Sequence, residues 1–328
     1  MTKVSNSSEI PSANPKEKYL VTNWSVYNKA LVNRGDITLY FAEDAIESWY
    51  SDLPLQKGAQ ELYSDVCIET IMMLKVVFKL AYRQAQGFTQ GLLKLMRLDE
   101  LKVPSYTQIN RRVRALHVES YAIPCSGSIT IAIDSTGVKV FGEGEWKVRQ
   151  HGWSKRRSWR KLHLGVDPKT GFVHCHVLTQ NNESDDAQLP QLLEQIKPPV
   201  EEACFDGAYD TEKCWDKLIS QGTKPIIPPQ KNAVPWYWEQ PGDLPDYPRN
   251  IAIARIDEIG RAAWKKEIGY HKRSLAETTM YRYKTMLGNT FFSRTLLTQK
   301  VECSLKIKAL NQMTAIGMPI SKPRKATA

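Results

Sequence analysis

Hydrophobic residues recur at helical spacing in the first third of the chain. Between Ser64 and Tyr82 this spacing predicts an amphipathic helix, whose apolar positions are Ile68, Ile71, Met72, Val76 and Leu80. A second helix is predicted after Gly87, and a third after Pro104, where Ser105 or Thr107 can act as the cap. Residues 24 to 116 are therefore expected to be mainly helical.

The third of these predicted helices is rich in arginine, namely Arg111, Arg112 and Arg114. A series of short helices whose last helix is basic is compatible with a DNA-binding domain of the helix-turn-helix type. Three packed helices are also the usual way to build any small helical domain. Both interpretations stay open from the sequence.

The pattern changes to short apolar runs after residue 125. Ile129 to Ile133 is β-branched and predicts a buried strand that ends at Asp134. Two further runs, residues 162–167 and 173–179, are joined by the turn sequence from Pro168 to Gly171 and predict a hairpin.

Helical and strand patterns alternate in the remaining part. Helices are predicted over residues 186–196, 211–220 and 269–287, and strands over 203–205 and 224–227, the first of which ends at Asp206. Residues 229–250, rich in Pro, Trp and Asn, predict an irregular stretch within an insertion that reaches about residue 262. This order indicates a mixed α/β sheet flanked by helices.

Two of the predicted strands lead into an aspartate, Asp134 and Asp206. Functional side chains of open α/β sheets collect just beyond strand ends, and an aspartate there loses hydration unless a positive group pairs with it. Either residue alone could simply cap the turn that follows. Two of them in one sheet favour a site.

A third acidic residue, Glu277, shares one face of the last predicted helix with three other polar residues. At 100° per residue, this face contains Tyr270, Arg273, Glu277 and Lys284. The alternative is a capping box from Ser274 to Glu277, in which case Tyr270 and Arg273 precede the helix. Three carboxylates can hold two Mg²⁺ ions that stabilise an in-line displacement at phosphorus.

Composition sets the class of protein. The chain has 328 residues, 42% of them hydrophobic, and a formal net charge of +10. Residues 261–328 contain 14 Lys and Arg against 3 Asp and Glu, a concentration that suits a polyanion such as DNA but also a solubilising surface. The polar N-terminus and the short apolar runs predict a soluble, cytoplasmic protein without membrane association.

Six scattered cysteines, with no CxxC pair, argue against a zinc ribbon and against a disulfide framework. Three histidines, His163, His174 and His176, alternate along the predicted hairpin and are interpreted as strand surface. Asp185 and Asp186 precede a predicted helix and are interpreted as its caps.

A cluster of cations lies between Lys147 and Lys161, interleaved with Trp153 and Trp159, and consists of Lys147, Arg149, Lys155, Arg156, Arg157, Arg160 and Lys161. Cations with aromatic residues suit a surface that follows a nucleic-acid backbone, although a solvated hairpin tip would look the same. Trp236 and Trp238 could stack on an extruded base; the more ordinary interpretation is that they attach their loop to the core.

The ordered set of motifs resembles the DDE transposases of bacterial insertion sequences. Tyr270-x2-Arg273-x3-Glu277-x6-Lys284 resembles their signature, and Asp134 in IAIDSTG and Asp206 in FDGAYD resemble their two aspartate motifs. The stretch from Gly142 to His163 is similar to the insertion-sequence-five family in particular. The likeness covers about residues 20 to 320.

The resemblance implies an RNase H-like catalytic domain over residues 126–300, after a disordered tail (1–20) and a helical DNA-binding domain (21–125) and before a basic C-terminal helix and tail (301–328). Asp134, Asp206 and Glu277 would be the catalytic metal ligands for two Mg²⁺ ions, with Mn²⁺ as a substitute. Tyr270, Arg273 and Lys284 would contact DNA phosphates. The implied partners are terminal inverted repeats, target DNA and a second copy in a homodimer.

Two other functions stay open from the sequence. In a phosphatase-like enzyme Asp134 would attack phosphate covalently, but a second aspartate two positions later is lacking. A catalytically silent relic would bind DNA as a repressor, and the acidic set alone does not distinguish it from an active transposase.

Overall fold

The computed structural model describes residues 19–52, 62–140, 159–236 and 246–323. The chain divides into a small unit, residues 1–35 with 316–328, and a large unit, residues 36–315. In the small unit, strand β1 (Tyr19–Val21) pairs antiparallel with β8 (Ser321–Pro323), and helix α1 is Trp24–Asn33. Arg34 at the end of α1 donates to the Gly317 carbonyl at 2.8 Å.

The large unit begins with four helices, α2 (Glu43–Glu47), α3 (Asp65–Val77), α4 (Tyr82–Leu95) and α5 (Tyr106–Arg112). The predicted cap of α5 is confirmed, since Ser105 forms a capping box with Gln108. At the start of α3 the Ser64 hydroxyl accepts from the Cys67 amide at 3.0 Å. The first predicted helix is shorter than expected and ends at Val77, and the second begins at Tyr82 rather than after Gly87.

Helices α3 and α4 are each followed, two residues after the helix ends, by a cation in the left-handed backbone region. Lys79 has φ of 55° and Arg97 has φ of 59°. In each case the next amide closes the helix end, since Leu80 donates to the carbonyl of Lys75 and Leu98 to that of Leu93, both at 2.9 Å. Glycine is the usual residue at such a position, so both side chains are held there at some cost in backbone energy.

Six strands of the described residues form one mixed sheet: β2 (Ile129–Val140), β3 (Trp159–Val166), β4 (Val173–Gln180), β5 (Val200–Cys204), β6 (Lys224–Ile226) and β7 (Thr290–Phe291). Their order is β4-β3-β2-β5-β6, and β7 pairs with the far end of β2. β2, β3 and β4 are antiparallel neighbours, whereas β5, β6 and β7 join in parallel. The predicted hairpin over residues 162–179 is confirmed, and the predicted mixed sheet is present.

The helices beside this sheet are α6 (Leu189–Leu193), α7 (Glu212–Ser220), α8 (Pro248–Ile259), α9 (Arg261–Glu267), α10 (Ser274–Leu287) and α11 (Leu296–Ile316). The stretch predicted to be irregular, residues 229–250, gives way to helix at Pro248, which supplies the fixed φ preferred at a helix start.

Alternate side chains of β2 enter two different hydrophobic clusters, as the two-residue period of a strand requires. Ile129, Ile131 and Ile133 pack with helices α6 and α7, whereas Ala132 and Val138 pack in the larger cluster with helices α10 and α11. The sheet is therefore covered on both faces, and the face of Ala132 is the one beneath α10.

The larger cluster also contains side chains from residues 40–116, so the first helices and the sheet share a core. Helix α11 lies deep in it, with Lys306 and Glu302 paired at 3.2 Å and almost fully buried. Lys308 of the same helix pairs with Glu69 of α3. Part of the C-terminal positive charge is thus neutralised within the protein. The domain boundaries at residues 125 and 300 stay predictions.

All six cysteines are free thiols, and five are buried. None of the helices in the part of the chain that the structure describes combines the length and the apolar character needed to cross a bilayer.

Candidate active site

Asp134 and Asp206 stand at equivalent positions on two neighbouring parallel strands. Ala132 of β2 lies opposite Cys204 of β5, and each aspartate follows two residues later. Residues two apart along a strand face the same side, so Asp134 projects toward the cluster beneath α10. The sheet thereby brings together two acidic residues that are far apart in the sequence.

A register shift in β5 sets this alignment. Ile129 pairs with Val200 and Thr130 with Glu202, so Glu201 is an extra residue on β5. The prediction that the first strand ends at Asp134 is wrong, because β2 continues to Val140. Its far half is held by β3 and by β7, and Asp134 therefore lies in mid-strand. Asp206 follows the end of β5, where its carboxylate accepts from the Ala208 amide at 2.9 Å.

Arg273 connects the sheet to helix α10. Its guanidinium donates one hydrogen bond to Oδ2 of Asp134 and another, 2.6 Å long, to Oε1 of Glu277. The side chain of Asp134 is 13% exposed and that of Glu277 is 55% exposed. Glu277 therefore lies at the solvent side of the site and Asp134 at its floor.

The sequence predicted one continuous α-helix over residues 269–287, and this prediction is wrong for the segment before Ser274. Residues Tyr270–Arg273 form a 3₁₀ turn, and the α-helix begins at Ser274. The alternative capping box is also wrong: the Ser274 hydroxyl donates to the His271 carbonyl, and the Glu277 carboxylate pairs with Arg273. The tighter turn still brings Arg273 and Glu277 onto one side, because they are four residues apart.

The other two residues of the predicted face also lie at the sheet. Tyr270 is half-buried, with the guanidinium of Arg273 5.8 Å and the ammonium of Lys265 4.7 Å from its ring centre. The Lys284 ammonium donates to the Thr136 hydroxyl of β2 at 2.6 Å. Burial lowers the pKa of Lys284.

Burial raises the pKa of Asp134, the amide of Ser135 and the charge of Arg273 lower it, and the negative charges of Asp206 and Glu277 raise it again. The net direction is upward. The negative charges of Asp206 and Glu277 are therefore close enough to raise the pKa of Asp134, as expected of a place where a cation would be stabilised.

Two family models, each described as a transposase DDE domain, match this chain. One covers residues 126–312, more than half of the chain, and the other covers residues 32–143. The chain belongs to the DDE transposase family. It is accordingly an enzyme, a DDE-type DNA transposase.

Two solved structures are similar to this DDE transposase. The piggyBac transposase synaptic complex with hairpin DNA has a TM-score of 0.42 and 8% sequence identity, over 86% of this chain and 73% of that one. The Drosophila P element transposase strand transfer complex has a TM-score of 0.30 and 14% identity, over 56% of this chain and 46% of that one.

Asp185 is a residue of this transposase whose environment the sequence did not reveal. The prediction that Asp185 caps a helix is wrong, because its side chain forms no capping hydrogen bond. Its carboxylate contacts the ammonium of Lys161 at 2.7 Å and the imidazole of His163 at 3.0 Å. Burial raises the pKa of Asp185, but His163, Lys161 and the hydroxyl of Ser135 lower it to about 2.

This group lies beside the acidic site: burial raises the pKa of Tyr209, and the charges of Asp185, Asp206 and Asp134 raise it further. The prediction that His163 is strand surface is wrong: its ring is fully buried, and its Nε2 lies 3.1 Å from the Thr179 hydroxyl. His176 is partly buried, its Nε2 lies 2.9 Å from the Ser304 hydroxyl, and burial lowers its pKa to about 4.

The remaining predicted DNA-binding cations fall into three groups in the transposase. Lys147, Arg149, Lys155, Arg156 and Arg157 lie outside the described residues. Arg160 and Lys161 face inward, since Arg160 donates to Gln299 at 2.7 Å and Lys161 binds Asp185. Arg112 binds Asp65 and the Tyr63 carbonyl, which ties α5 to the start of α3, whereas Arg111 and Arg114 are exposed.

Trp236 fits the ordinary interpretation of an attached loop. Its ring packs at the edge of the second cluster and lies 3.9 Å from the guanidinium of the buried Arg249. Trp238 lies outside the described residues. Loop attachment, rather than base stacking, is therefore the role that the structure gives Trp236.

The carboxylates of the site fit a hard divalent cation by donor type, and the mutual repulsion of Asp134, Asp206 and Glu277 would be relieved by one. Within the residues that the structure describes, however, no group of three or more His, Cys, Asp or Glu side chains is arranged to hold a metal ion. The guanidinium of Arg273 stands against two of the three carboxylates instead.

Proposed function

We propose that this transposase cuts DNA at the terminal inverted repeats of an insertion sequence and joins the ends to target DNA. The observation that carries the proposal is the pairing of Arg273 with Asp134 of β2 and Glu277 of α10, beside the end of the neighbouring strand β5, which Asp206 follows. Membership of the DDE transposase family supports it.

Asp134, Asp206 and Glu277 would hold two Mg²⁺ ions, or Mn²⁺ in their place. Such ions lower the pKa of bound water and stabilise the attacking and leaving oxygens at phosphorus. DDE transposases generally use divalent metal ions, in agreement with the donor type at this site. The mixed six-stranded sheet supports the assignment of an RNase H-like fold to the catalytic part.

The cations of α10 and its preceding turn would bind DNA phosphates near the cleaved bond. Arg273 offers a bidentate fork that can exchange carboxylate oxygens for phosphate oxygens, and Lys284 offers a point charge. Tyr270 lies against Arg273 and would position it. Arg111 of α5 and Arg114, which follows this helix, are both exposed and would add contacts to the DNA backbone.

The Tyr270-x2-Arg273-x3-Glu277-x6-Lys284 spacing supports placement in the insertion-sequence-five family, and with it a bacterial, nucleoid-associated protein that acts as a homodimer on paired ends. The candidate DNA ends can be obtained by inspecting the sequence that flanks the gene for short inverted repeats.

The test uses a labelled duplex that carries those repeats. We expect the wild-type chain to bind it and, with Mg²⁺ or Mn²⁺, to cleave it. Asp134→Asn, Asp206→Asn and Glu277→Gln should each lose cleavage by a factor of about 10³ or more and keep binding within a few-fold, because one metal ligand is removed in each. Glu194→Gln and Asp257→Asn, at exposed positions, are the matched controls.

Normal cleavage by any of the three variants would remove that residue from the proposed site. A wild-type chain that binds the repeats but leaves them intact with both metals would instead support the alternative function, a catalytically silent repressor.

A further inference from the structure

A second feature of the large unit is a cleft with a volume of about 840 Å³. It opens where α3 passes into α4, and α5 and the segment between β7 and α11 complete its walls. This volume is within the range of cavities that enclose a small ligand. The cleft is built from segments other than those that carry Asp134, Asp206 and Glu277.

Positive charge dominates the lining of this cleft. Its cations are Lys75, Lys79, Arg83, Arg114 and Arg294, and no Asp or Glu is among the described residues that line it. Lys79, Arg114 and Arg294 are exposed, and none of these three forms an ion pair with an acidic side chain in the described part of the chain. Such a surface attracts a polyanion.

Lys75 is the most informative of these cations, because it is only 3% exposed and yet lines the cleft. Its ammonium lies 4.8 Å from the ring centre of Tyr82 and 5.9 Å from that of Phe292. Among the described residues it has no hydrogen-bond acceptor and no ion pair. The side chain is thus held in place by its packing while it lines the cleft, where a phosphate oxygen could accept hydrogen bonds from the ammonium.

The position of Lys79 is a second, independent indication. Its left-handed backbone is a conformation in which glycine costs least. A lysine there is unfavourable for folding but directs a long cationic side chain into the wall of the cleft.

Aromatic rings line the same cleft. Phe292 is 49% exposed at its wall, and the guanidinium of Arg83 lies 4.6 Å from the ring centre of Tyr106. Exposed aromatic and guanidinium surfaces stack on nucleobases, which are accessible only when they are unpaired. A duplex would offer phosphates to the cleft mouth but would keep its bases away from these rings.

We propose that this cleft binds an unpaired stretch of DNA, with a phosphodiester at Lys75, Lys79 and Arg294 and a base stacked on Phe292. The proposal rests on the proposed function, since it supplies that enzyme with a holding site for single-stranded DNA. It is separate from the acidic site and requires no metal ion.

The test measures binding of a fluorescent single-stranded oligonucleotide of ten thymidines to the full chain in EDTA. The double variant Lys79→Gln with Arg294→Gln should weaken binding by about tenfold or more. The slope of the logarithm of the binding constant against the logarithm of the salt concentration should become shallower by about 1.4, because two phosphate contacts are lost. Phe292→Ala should weaken binding about tenfold through lost stacking. The matched control, Lys94→Gln with Lys300→Gln, removes two exposed cations outside the cleft and should change binding less than twofold.

Lys75→Met retains a long, unbranched side chain and tests the buried cation without emptying its site. It should weaken binding of the oligonucleotide by at least fivefold, and circular dichroism should show an unchanged melting temperature or a higher one. An abasic oligonucleotide of the same length should compete at least tenfold less well than the thymidine strand.

Equal losses in the cleft variant and the surface control would overturn the proposal, since they would indicate non-specific attraction. Equal competition by the abasic strand would overturn base stacking. If the cleft variants bind the strand as wild type does while wild type cleaves repeat-bearing duplex, this inference fails and the proposed function stands. If wild type binds the strand through the cleft but cleaves no duplex with Mg²⁺ or Mn²⁺, the cleft stands and the proposed function fails.

Discussion

Arg273 donates a hydrogen bond through Nη1 to Oδ2 of Asp134, and this ion pair joins the turn before α10 to the middle of β2. The same guanidinium reaches Glu277, so one cation neutralises two of the three carboxylates proposed to bind metal. An arginine in that position stabilises the acidic cluster in the absence of other cations. The same arginine must therefore compete with any metal ion that binds these carboxylates.

Arg273→Gln is therefore expected to bind Mn²⁺ more tightly than the wild-type chain when DNA is absent. Hydrogen bonds to charged groups contribute about 1.5–3 kcal/mol, which corresponds to about tenfold or more in the dissociation constant. Electron paramagnetic resonance of free Mn²⁺ measures this constant directly. Lys266→Gln removes an exposed charge from α9 and is the control. An unchanged constant in Arg273→Gln would mean that the guanidinium does not compete with the ion.

Asp185 gives a pH-dependent contribution to stability. Its folded pKa of about 2 lies below the ordinary value of 3.8, so its contribution is fully present above about pH 5 and is lost as the pH falls through 2. Asp185→Asn should lower the free energy of unfolding by about 2 kcal/mol at pH 7, and the difference from wild type should shrink between pH 4 and pH 2.

Urea denaturation at pH 7, 5, 3 and 2 checks this. Asp186→Asn, at the neighbouring position, should change stability by less than about 0.5 kcal/mol at each pH. A difference for Asp185→Asn that does not depend on pH would show that its contacts with Lys161 and His163 are not charge-dependent.

Asp210 forms a buried network on the other side of the sheet. Its carboxylate accepts from Arg249 at 2.7 and 3.1 Å, from the Trp215 indole at 3.0 Å and from the Gln230 amide at 3.1 Å. Asp210→Ala should destabilise the protein by about 3–5 kcal/mol, because it leaves the arginine charge buried and unpaired. Thermal and urea denaturation measure the loss. Arg255→Ala, which breaks an exposed ion pair with Glu267, should cost about 1 kcal/mol or less.

Gly165 allows β3 and β4 to approach closely. A Cβ at this position would lie 2.3 Å from the Cys175 sulfur and 3.3 Å from Cγ1 of Ile133. Gly165→Ala should therefore cost about 1–3 kcal/mol through overpacking, and Cys175→Ala in the same chain should recover part of that loss. Gly91→Ala in α4, where a Cβ meets nothing within 4 Å, should stabilise the helix by about 0.5–1 kcal/mol. Additive effects of Gly165→Ala and Cys175→Ala would contradict the proposed clash.

Local chemistry made part of this structure predictable. The turn from Pro168 to Gly171 and the cap at Ser105 depend on neighbouring residues, and both were found in the structure. The helical spacing of Arg273 and Glu277 likewise predicted that they share a side, although a 3₁₀ turn precedes the helix. Asp185 could not be interpreted in this way, because its partners Lys161 and His163 belong to a strand that only the tertiary fold brings near.

The extra residue on β5 has a consequence for comparing related chains. Without Glu201 as the unpaired residue, Asp134 would stand level with Phe205, and Asp206 would move one place along the strand and toward the opposite side. Loss of one codon between Glu202 and Asp206 would have the same effect: every acidic motif would remain recognisable in the gene, but the two carboxylates would no longer be level. A homologue should therefore be judged competent by the spacing between its motifs and the start of this strand, as well as by the motifs themselves.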